Sequence, residues 1–197
     1  MVTVSLPCPP SANDEQLLRC FAAGDRQALE ELFRRYRLPA YRVAYRLLGN
    51  EADALDAVQD GFVKALSHLQ SFQGRSSFKT WLLRVVSNAS LDLGRQRGRR
   101  DVLRLDLAEQ NDNPDKSLTT ADVTAQGLER TDLRAGIDKA LARLSEAHRQ
   151  TFVLHADAEL SYREVADALG ISIGTVMSRL YYARQKLREY LSERKVL

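Results

Sequence analysis

Helical periodicity is the feature that most limits how this sequence can fold. Outside one central stretch, apolar residues recur every three or four positions, as they do on the buried face of an α-helix. No segment alternates apolar and polar residues over a length that would favour a strand. The sequence therefore predicts an all-α fold.

The central stretch, residues 105–138, is acidic and lacks this period. It carries eight acidic residues against three basic ones, contains Asn113-Pro114 and Gly127, and has no sustained apolar pattern before Leu133. Such a composition is typical of a linker. We therefore predict two small helical domains, at residues 13–100 and 132–197, joined by a flexible acidic linker at 101–131.

Several helices are predicted in the first domain. Apolar stripes lie on both sides of Leu38-Pro39, where the proline is expected to start or kink a helix, and Gly49-Asn50 ends that run. The next helix spans about Ala52–Leu69, and another begins after Ser76-Ser77. The Ala52–Leu69 helix is predicted to bury Leu55, Val58, Phe62, Leu66 and Leu69 and to expose Asp53, Asp56, Asp60 and Lys64. The helix after it is predicted to bury Phe78, Leu82, Val85, Ala89 and Leu93.

The second domain ends in a pair of helices with strong boundary signals. Leu133 to Leu144 predicts one helix and Ser145 caps another, before the segment LSYREVADALGISIGTVMSRLYYARQKL. In that segment Ser161 and Glu164 have capping-box spacing, Gly170 suits a left-handed helix end, and Ser172 can cap the final helix. The residues of the final helix that are predicted to face the core are Val176, Leu180, Ala183 and Leu187.

The opposite face of the final helix predicts contact with DNA. It presents Thr175, Ser178, Tyr181, Tyr182 and Gln185, with Arg179 on its flank. In a helix-turn-helix, the second helix lies in the major groove, where such side chains reach base edges and phosphates. The alternative is a helical hairpin with a solvated face. The adjacent tyrosines and the six basic against two acidic residues in 178–197 favour DNA.

A second stripe in the first domain suits single-stranded nucleic acid. Trp81, Arg84, Asn88 and Arg95 follow one another at intervals of 3, 4 and 7, and residues 91–104 hold five arginines against two aspartates. Unstacked bases stack on aromatic rings while arginines follow the phosphates. Taken alone, Trp81 also fits an ordinary core position at the edge of a helix.

Other classes of protein find little support in the sequence. It has no Gly-rich phosphate loop, no metal-ligand spacing and no nucleophile constellation, so we predict no catalytic residue, no cofactor and no metal. It also has no apolar run long enough to cross a bilayer and no signal-peptide pattern, so we expect a cytoplasmic protein without membrane insertion. Cys8 and Cys20 are predicted to be free thiols.

Three motifs together resemble the extracytoplasmic-function (ECF, group IV) sigma factors of bacterial RNA polymerase. DALDAVQDGFVKAL is similar to the helix that binds the polymerase clamp, and SFQGRSSFKTWLLRVVSNASLD is similar to the promoter-melting segment. The paired helices described above resemble the helix-turn-helix of the second sigma domain. The sequence departs from the family pattern at Leu55, where an acid is usual, and at Gly61 and Gly94, where larger residues are usual.

The resemblance implies a role for particular residues. The clamp coiled coil would be bound by an acidic surface, and a flipped base of the minus-10 element would be captured in the first domain. The minus-35 duplex would be read by the second domain, and the polymerase flap and an anti-sigma factor are further implied partners. The resemblance assigns to polymerase binding Asp56, Gln59 and Asp60, to the minus-10 strand Phe72 and Asn88, and to the minus-35 duplex Ser172, Thr175, Ser178 and Arg179. From the residue patterns we add Asp53 to the first set, Trp81, Arg84 and Arg95 to the second, and Tyr182 to the third.

Two functions follow from these observations. The preferred one is a sigma factor that binds core RNA polymerase and directs promoter-specific initiation. The alternative is a stand-alone helix-turn-helix regulator that binds duplex DNA as a dimer and uses its first domain for sensing or dimerisation. Experiments with and without core polymerase distinguish the two functions. A regulator should bind promoter duplex alone, whereas a sigma factor acts only when it is mixed with core polymerase.

Overall fold

The computed structural model describes residues 12–69, 72–108 and 136–193, and all regular secondary structure within them is helical. The all-α prediction is confirmed. Most of the predicted linker lies outside the described residues, although one helix continues to Ala108, past the predicted domain end at residue 100. The helices are α1 (Asp14–Ala22), α2 (Arg26–Leu48), α3 (Glu51–His68), α4 (Phe78–Ala108), α5 (136–142), α6 (Glu146–Ala156), α7 (Tyr162–Leu169) and α8 (Ile173–Glu193).

Helix α2 passes through Pro39 without ending, so of the two predicted alternatives the proline does not start a new helix. Proline removes one backbone donor from a helix and commonly breaks it. Here Leu32 and Val43, on either side of the proline, are both fully buried in the same core. Tertiary packing therefore holds the two halves of α2 in one helix.

Helix α3 turns a face of small residues toward the core, which differs from the predicted apolar face. Val58 is buried as expected, but the side chains of Leu55 and Leu66 are exposed. The small residues that face inward are Ala54, Ala57, Gly61 and Ala65. Small side chains allow two helix axes to approach closely, so α3 is positioned by close packing rather than by its leucines.

The closest approach is between Gly61 of α3 and Val86 of α4. A Cβ atom added at Gly61 would lie 2.9 Å from Val86 Cγ2 and 3.0 Å from Val86 Cα, too close for a side chain to fit without movement. Val86, Leu82 and Leu83 are fully buried, which places α4 at the centre of the first domain. The glycine that departs from the family pattern thus has a packing role here.

Most of the predicted helix ends in the first domain are confirmed. Gly49 adopts the left-handed conformation, with φ 78°, at the end of α2. Asn50 then caps α3, and the Ser77 hydroxyl accepts a hydrogen bond from the Thr80 amide at 3.1 Å.

The prediction of free thiols is wrong for Cys20, which is disulfide-bonded, and Cys8 lies outside the described residues. Helical periodicity carries no information about which sulfur atoms approach within bonding distance.

The helix-turn-helix prediction is also confirmed. Ser161 and Glu164 form the capping box, Gly170 has φ 65° at the end of α7, and the Ser172 hydroxyl accepts from the Thr175 amide at 3.0 Å. The predicted inward residues of α8 are all buried: Val176, Leu180, Ala183 and Leu187.

The two domains pack against each other. Helix α6 contacts α2 and α4, and α7 contacts α4. Val153 and Leu154 of α6 are fully buried in the same apolar cluster as Leu82 of α4. Among the described residues, no helix has the length and apolar character needed to cross a membrane.

The contact between Gly61 and Val86 predicts opposite effects of two glycine substitutions. Gly61→Ala forces α3 away from α4 and should lower the free energy of unfolding by about 1–3 kcal/mol, because overpacking outweighs the gain in helix propensity. Gly98→Ala is the matched control, since nothing lies within 4 Å of the added Cβ atom. It should raise the free energy of unfolding by up to about 1 kcal/mol. Urea denaturation compares them, and equal stabilisation by both would contradict the close approach.

Candidate nucleic-acid interfaces

One candidate surface lies on α3 and combines acidic and apolar side chains. Asp56, Gln59 and Asp60 are exposed as predicted, and the Asp60 carboxylate pairs with Lys64 Nζ at 2.7 Å. Leu55 and Val63 lie on the same helix and are 55% and 60% exposed. We call the following five residues the α3 surface: Leu55, Asp56, Gln59, Asp60 and Val63. Sequence reasoning missed its apolar part, because Leu55 was assigned to the core and Val63 to neither face.

Asp53 does not belong to the α3 surface, so its predicted exposure is wrong. Its side chain is only 2% exposed; Asn50 Nδ2 donates to its carboxylate at 2.6 Å, and Arg97 of α4 pairs with it. The carboxylate ties the start of α3 to α4. Asp53 thus has a structural position inside the first domain.

A second candidate surface is a groove beside α4. Trp81, Arg84 and Asn88 line it together, and Lys64 and His68 of α3 form its other side. Trp81 and Arg84 also line an adjoining cavity with Phe72, whose ring centroid lies 5.2 Å from that of Trp81. We call Phe72, Trp81, Arg84 and Asn88 the α4 groove. Four of the five predicted minus-10 residues therefore come together, next to a lysine and a histidine that sequence reasoning did not assign.

Arg95, the fifth predicted residue, lies apart from the α4 groove. It is exposed, and it pairs with Asp92 at 3.2 Å and with Glu146 of α6 at 2.9 Å. Glu146 belongs to the second domain. In this arrangement Arg95 forms an ion pair between the two domains.

Asn88 also contacts the second domain. Gln150 of α6 donates from Nε2 to Asn88 Oδ1 at 3.0 Å and to the Ser87 hydroxyl at 3.1 Å. Gln150 is buried. The side-chain amide predicted to meet a DNA base therefore already accepts a hydrogen bond from a side chain of the same protein.

Further polar contacts hold the domains in this position. Arg46 of α2 pairs with Asp138 at 2.6 Å and with Asp157 at 3.2 Å. Burial raises the pKa of Asp157, although the Arg46 charge acts in the opposite direction. Burial lowers the pKa of Arg46, but its bonds to both aspartates more than offset this and leave that pKa raised. Donation from the side chain and backbone of Ser161 lowers the pKa of Glu164, whose carboxylate also accepts from the Thr80 hydroxyl at 3.4 Å.

The third candidate surface is the outer face of α8. Ser172 and Thr175 share a hydroxyl contact of 2.9 Å, and the Ser178 hydroxyl donates to the Thr175 carbonyl at 3.0 Å. Arg179 is half-buried on the flank. Tyr182 is exposed, with its ring centroid 6.2 Å from that of His148. All five predicted minus-35 residues thus lie in the first three turns of α8 or at its cap. Ile173 and Met177, both exposed on the same helix, were missed.

The arrangement places two surfaces suited to nucleic acid on two domains of one chain. The outer face of α8 is the accessible side of a helix-turn-helix and fits the major groove of a duplex. The α4 groove has aromatic, arginine and amide groups side by side, which fits unstacked bases.

Comparison with known proteins finds two family models that match separate parts of the chain. Residues 32–100 match the model for sigma-70 region 2, and residues 134–187 match the model for sigma-70 region 4. The chain is 36% identical over 177 residues to the ECF RNA polymerase sigma factor SigE of Mycolicibacterium smegmatis, a match that covers 87% of this chain and 66% of that protein. It is 33% identical to the RNA polymerase sigma factor YlaC of Bacillus subtilis, over 85% of this chain and 94% of that protein.

A solved structure is similar as well. The sigma factor RpoE of Bartonella quintana, in a co-crystal with the anti-sigma factor NepR, matches with a TM-score of 0.61 at 29% identity, over 83% of this chain and 98% of that one. The likeness thus extends across both domains. This chain belongs to the ECF group of bacterial RNA polymerase sigma factors of the sigma-70 family.

Proposed function

We propose that this protein binds core RNA polymerase and directs it to specific promoters, reading the minus-35 duplex with α8 and holding the opened minus-10 strand in the α4 groove. One observation carries the proposal: the two domains present two nucleic-acid surfaces of different chemistry. A stand-alone regulator requires a duplex-binding surface but has no use for a groove built for unpaired bases. Sigma factors are not a class of enzymes, and we propose that this chain performs no chemistry of its own.

The α3 surface is the proposed docking site for the polymerase clamp. Its exposed Leu55 and Val63 flank the carboxylates of Asp56 and Asp60. Charged groups in such a patch orient the partner, while the apolar groups contribute area that is removed from water on binding. The surface fits a partner helix that carries basic and apolar residues, and a coiled coil is a partner of this kind.

The α4 groove is the proposed site of strand capture. Trp81 provides a ring for stacking, Arg84 lies beside it for the phosphates, and Asn88 has an amide that can pair with the edge of an extruded base. Gln150 occupies that amide oxygen in the closed arrangement. We propose that α6 moves away from α4 before the strand is bound, and that attachment of the two domains to separate parts of the polymerase, the clamp and the flap, drives this movement.

The proposed partners and location follow from this role. The chain would work in the cytoplasm, on core polymerase and promoter DNA. The similar Bartonella protein is bound to an anti-sigma factor in its structure. We propose that an anti-sigma factor also controls this chain. An inhibitor that holds the two domains in the closed arrangement would prevent the opening that strand capture requires.

The docking proposal is tested by reversing charge on the α3 surface. Asp56→Lys together with Asp60→Lys should weaken binding to core polymerase at least tenfold and reduce transcription from a reconstituted holoenzyme, because like charges would face the partner. Fluorescence anisotropy measures core binding, and run-off transcription measures the function.

Its control is the same reversal at two other exposed acids, Glu15 and Glu30, which lie on α1 and α2. This variant should bind core polymerase as the wild type does. Both double variants should unfold at similar urea concentrations, since exposed substitutions usually change stability by about 0.5 kcal/mol or less. Wild-type core affinity of the α3 variant would remove α3 from the docking site.

Strand capture is tested by two substitutions that delete the same hydrogen bond within the protein. Asn88→Ala removes the amide proposed to pair with DNA and should reduce open complexes by about 5- to 150-fold, as expected from a loss of about 1–3 kcal/mol. Gln150→Ala also breaks the contact with Asn88 but leaves its amide free for DNA, so it should keep or increase opening. Permanganate reactivity of thymines around the start site measures opening.

Two further measurements make this comparison specific. Both variants should assemble with core polymerase and should bind minus-35 duplex with wild-type affinity. A template with a pre-melted minus-10 bubble should restore only part of the loss in Asn88→Ala, because a bubble removes the cost of unpairing and not the lost contact. Equal loss of opening in both variants would mean that the Asn88–Gln150 contact is merely structural.

A further inference from the structure

Three large apolar side chains form an exposed stripe on the first turns of α8. Ile173, Met177 and Tyr181 follow one another at intervals of four and are 45%, 55% and 66% exposed. The fold does not use this stripe, because the core side of the helix is closed by the fully buried Val176 and by Leu180. Isolated exposed apolar residues are common, but a contiguous stripe on a binding helix indicates a contact.

The hydroxyl groups on the first turns of α8 are largely engaged within the protein. Ser172 accepts from the Thr175 amide and shares a hydroxyl contact with the same residue, and Ser178 donates to the Thr175 carbonyl. A hydroxyl has only one hydrogen to donate. Ser178 thus gives its hydrogen to a carbonyl, and Ser172 and Thr175 have one hydroxyl hydrogen left between them, so these residues can donate little to bases. The apolar stripe is a further exposed part of α8 that can contact them.

Charge around the stripe selects DNA as its partner. The stripe continues along α8 to Arg184 and Arg188, which are exposed, and Arg179 lies on the other flank. The first residues of a recognition helix face base edges, while later and flanking residues reach the backbone. Gly174 adds no side chain between Ile173 and Met177, and a Cβ atom there would meet only Ser172 Oγ at 3.7 Å. The backbone of α8 can therefore approach the groove closely.

We propose that Met177, flanked by Ile173 and Tyr181, reads the C5-methyl groups of thymines in the minus-35 element. This inference rests on the proposed function, because it requires α8 to lie in the major groove. The thymine methyl is the apolar group that the major groove presents, and apolar side chains recognise it by contact. The minus-35 element of this protein then contains at least one thymine whose methyl group is needed for binding.

The test removes the methyl group from the DNA and its partner from the protein. Holoenzyme assembled from core polymerase and the full chain first selects its minus-35 element from a library of randomised duplexes. Each thymine of the selected element is then replaced by deoxyuridine, which lacks only the methyl. At one or more positions the wild type should bind about fourfold more weakly, equivalent to about 0.8 kcal/mol for one buried methyl group.

Met177→Ala holoenzyme should bind the thymine and deoxyuridine duplexes equally at that position. Met177→Gln should do the same, because it keeps the length of the side chain and replaces its apolar end with an amide. Leu38→Ala is the matched control, since Leu38 is an equally exposed apolar residue on α2, and it should keep the fourfold preference. Deoxyuridine in the spacer should have no effect with any of these proteins.

Each outcome separates the inference from the function on which it rests. Equal binding of thymine and deoxyuridine by the wild type, or a preference retained in Met177→Ala, would overturn the reading of methyl groups and leave the sigma function intact. Weaker core assembly of Met177→Ala with unchanged duplex binding would assign the stripe to a protein partner and would also overturn it. Failure of the wild-type holoenzyme to select any duplex would contradict the proposed function itself.

Discussion

The rest of the structure depends on the interface between the two domains, where Val153 and Leu154 of α6 share an apolar cluster with Leu82 of α4 and polar pairs fix the position. Arg46 lies between Asp138 and Asp157, and Gln150 donates to Asn88. Ion pairs that remain partly exposed contribute little net stability, because water competes for each charge. Hydrogen bonds of this kind are exchanged for bonds to water at small cost. The polar contacts therefore specify one closed position and contribute little to its stability, while the shared apolar cluster is what opening would expose to water.

Helix α4 links this interface to both the fold and the proposed function. Its buried side packs against Gly61 of α3 with almost no space between the helices. Its other side carries Trp81, Arg84 and Asn88, and Gln150 of α6 donates to Asn88 at the edge of this groove. A surface on such a centrally packed helix is well fixed in position, and pre-organised groups bind with a smaller loss of conformational entropy. Movement of α6 would thus release the Asn88 amide oxygen in a groove that is already formed.

Local signals made much of this fold predictable from the sequence. The capping box at Ser161, the left-handed Gly170 and the inward residues of α8 all depend on spacing within one or two turns. The failures depend on distant partners. Asp53 is buried because Arg97 pairs with it, and Leu55 is exposed because α3 packs through small residues. The choice at Pro39 between starting a helix and lying within one was also decided by the core, which holds both halves of α2. The composition of the α4 groove was predictable from intervals along α4, but its closure by Gln150 required the packing of the second domain.

The central claim is that core polymerase separates two domains that are closed in the free protein. It is tested by the distance between fluorophores carried on unnatural amino acids at positions 30 and 192, which replace exposed residues of α2 and α8. Energy transfer in the full chain should show one short-distance population, and addition of core polymerase should convert it to a longer distance in a preparation that transcribes. Transcriptionally active holoenzyme in which the short distance is retained would contradict the account.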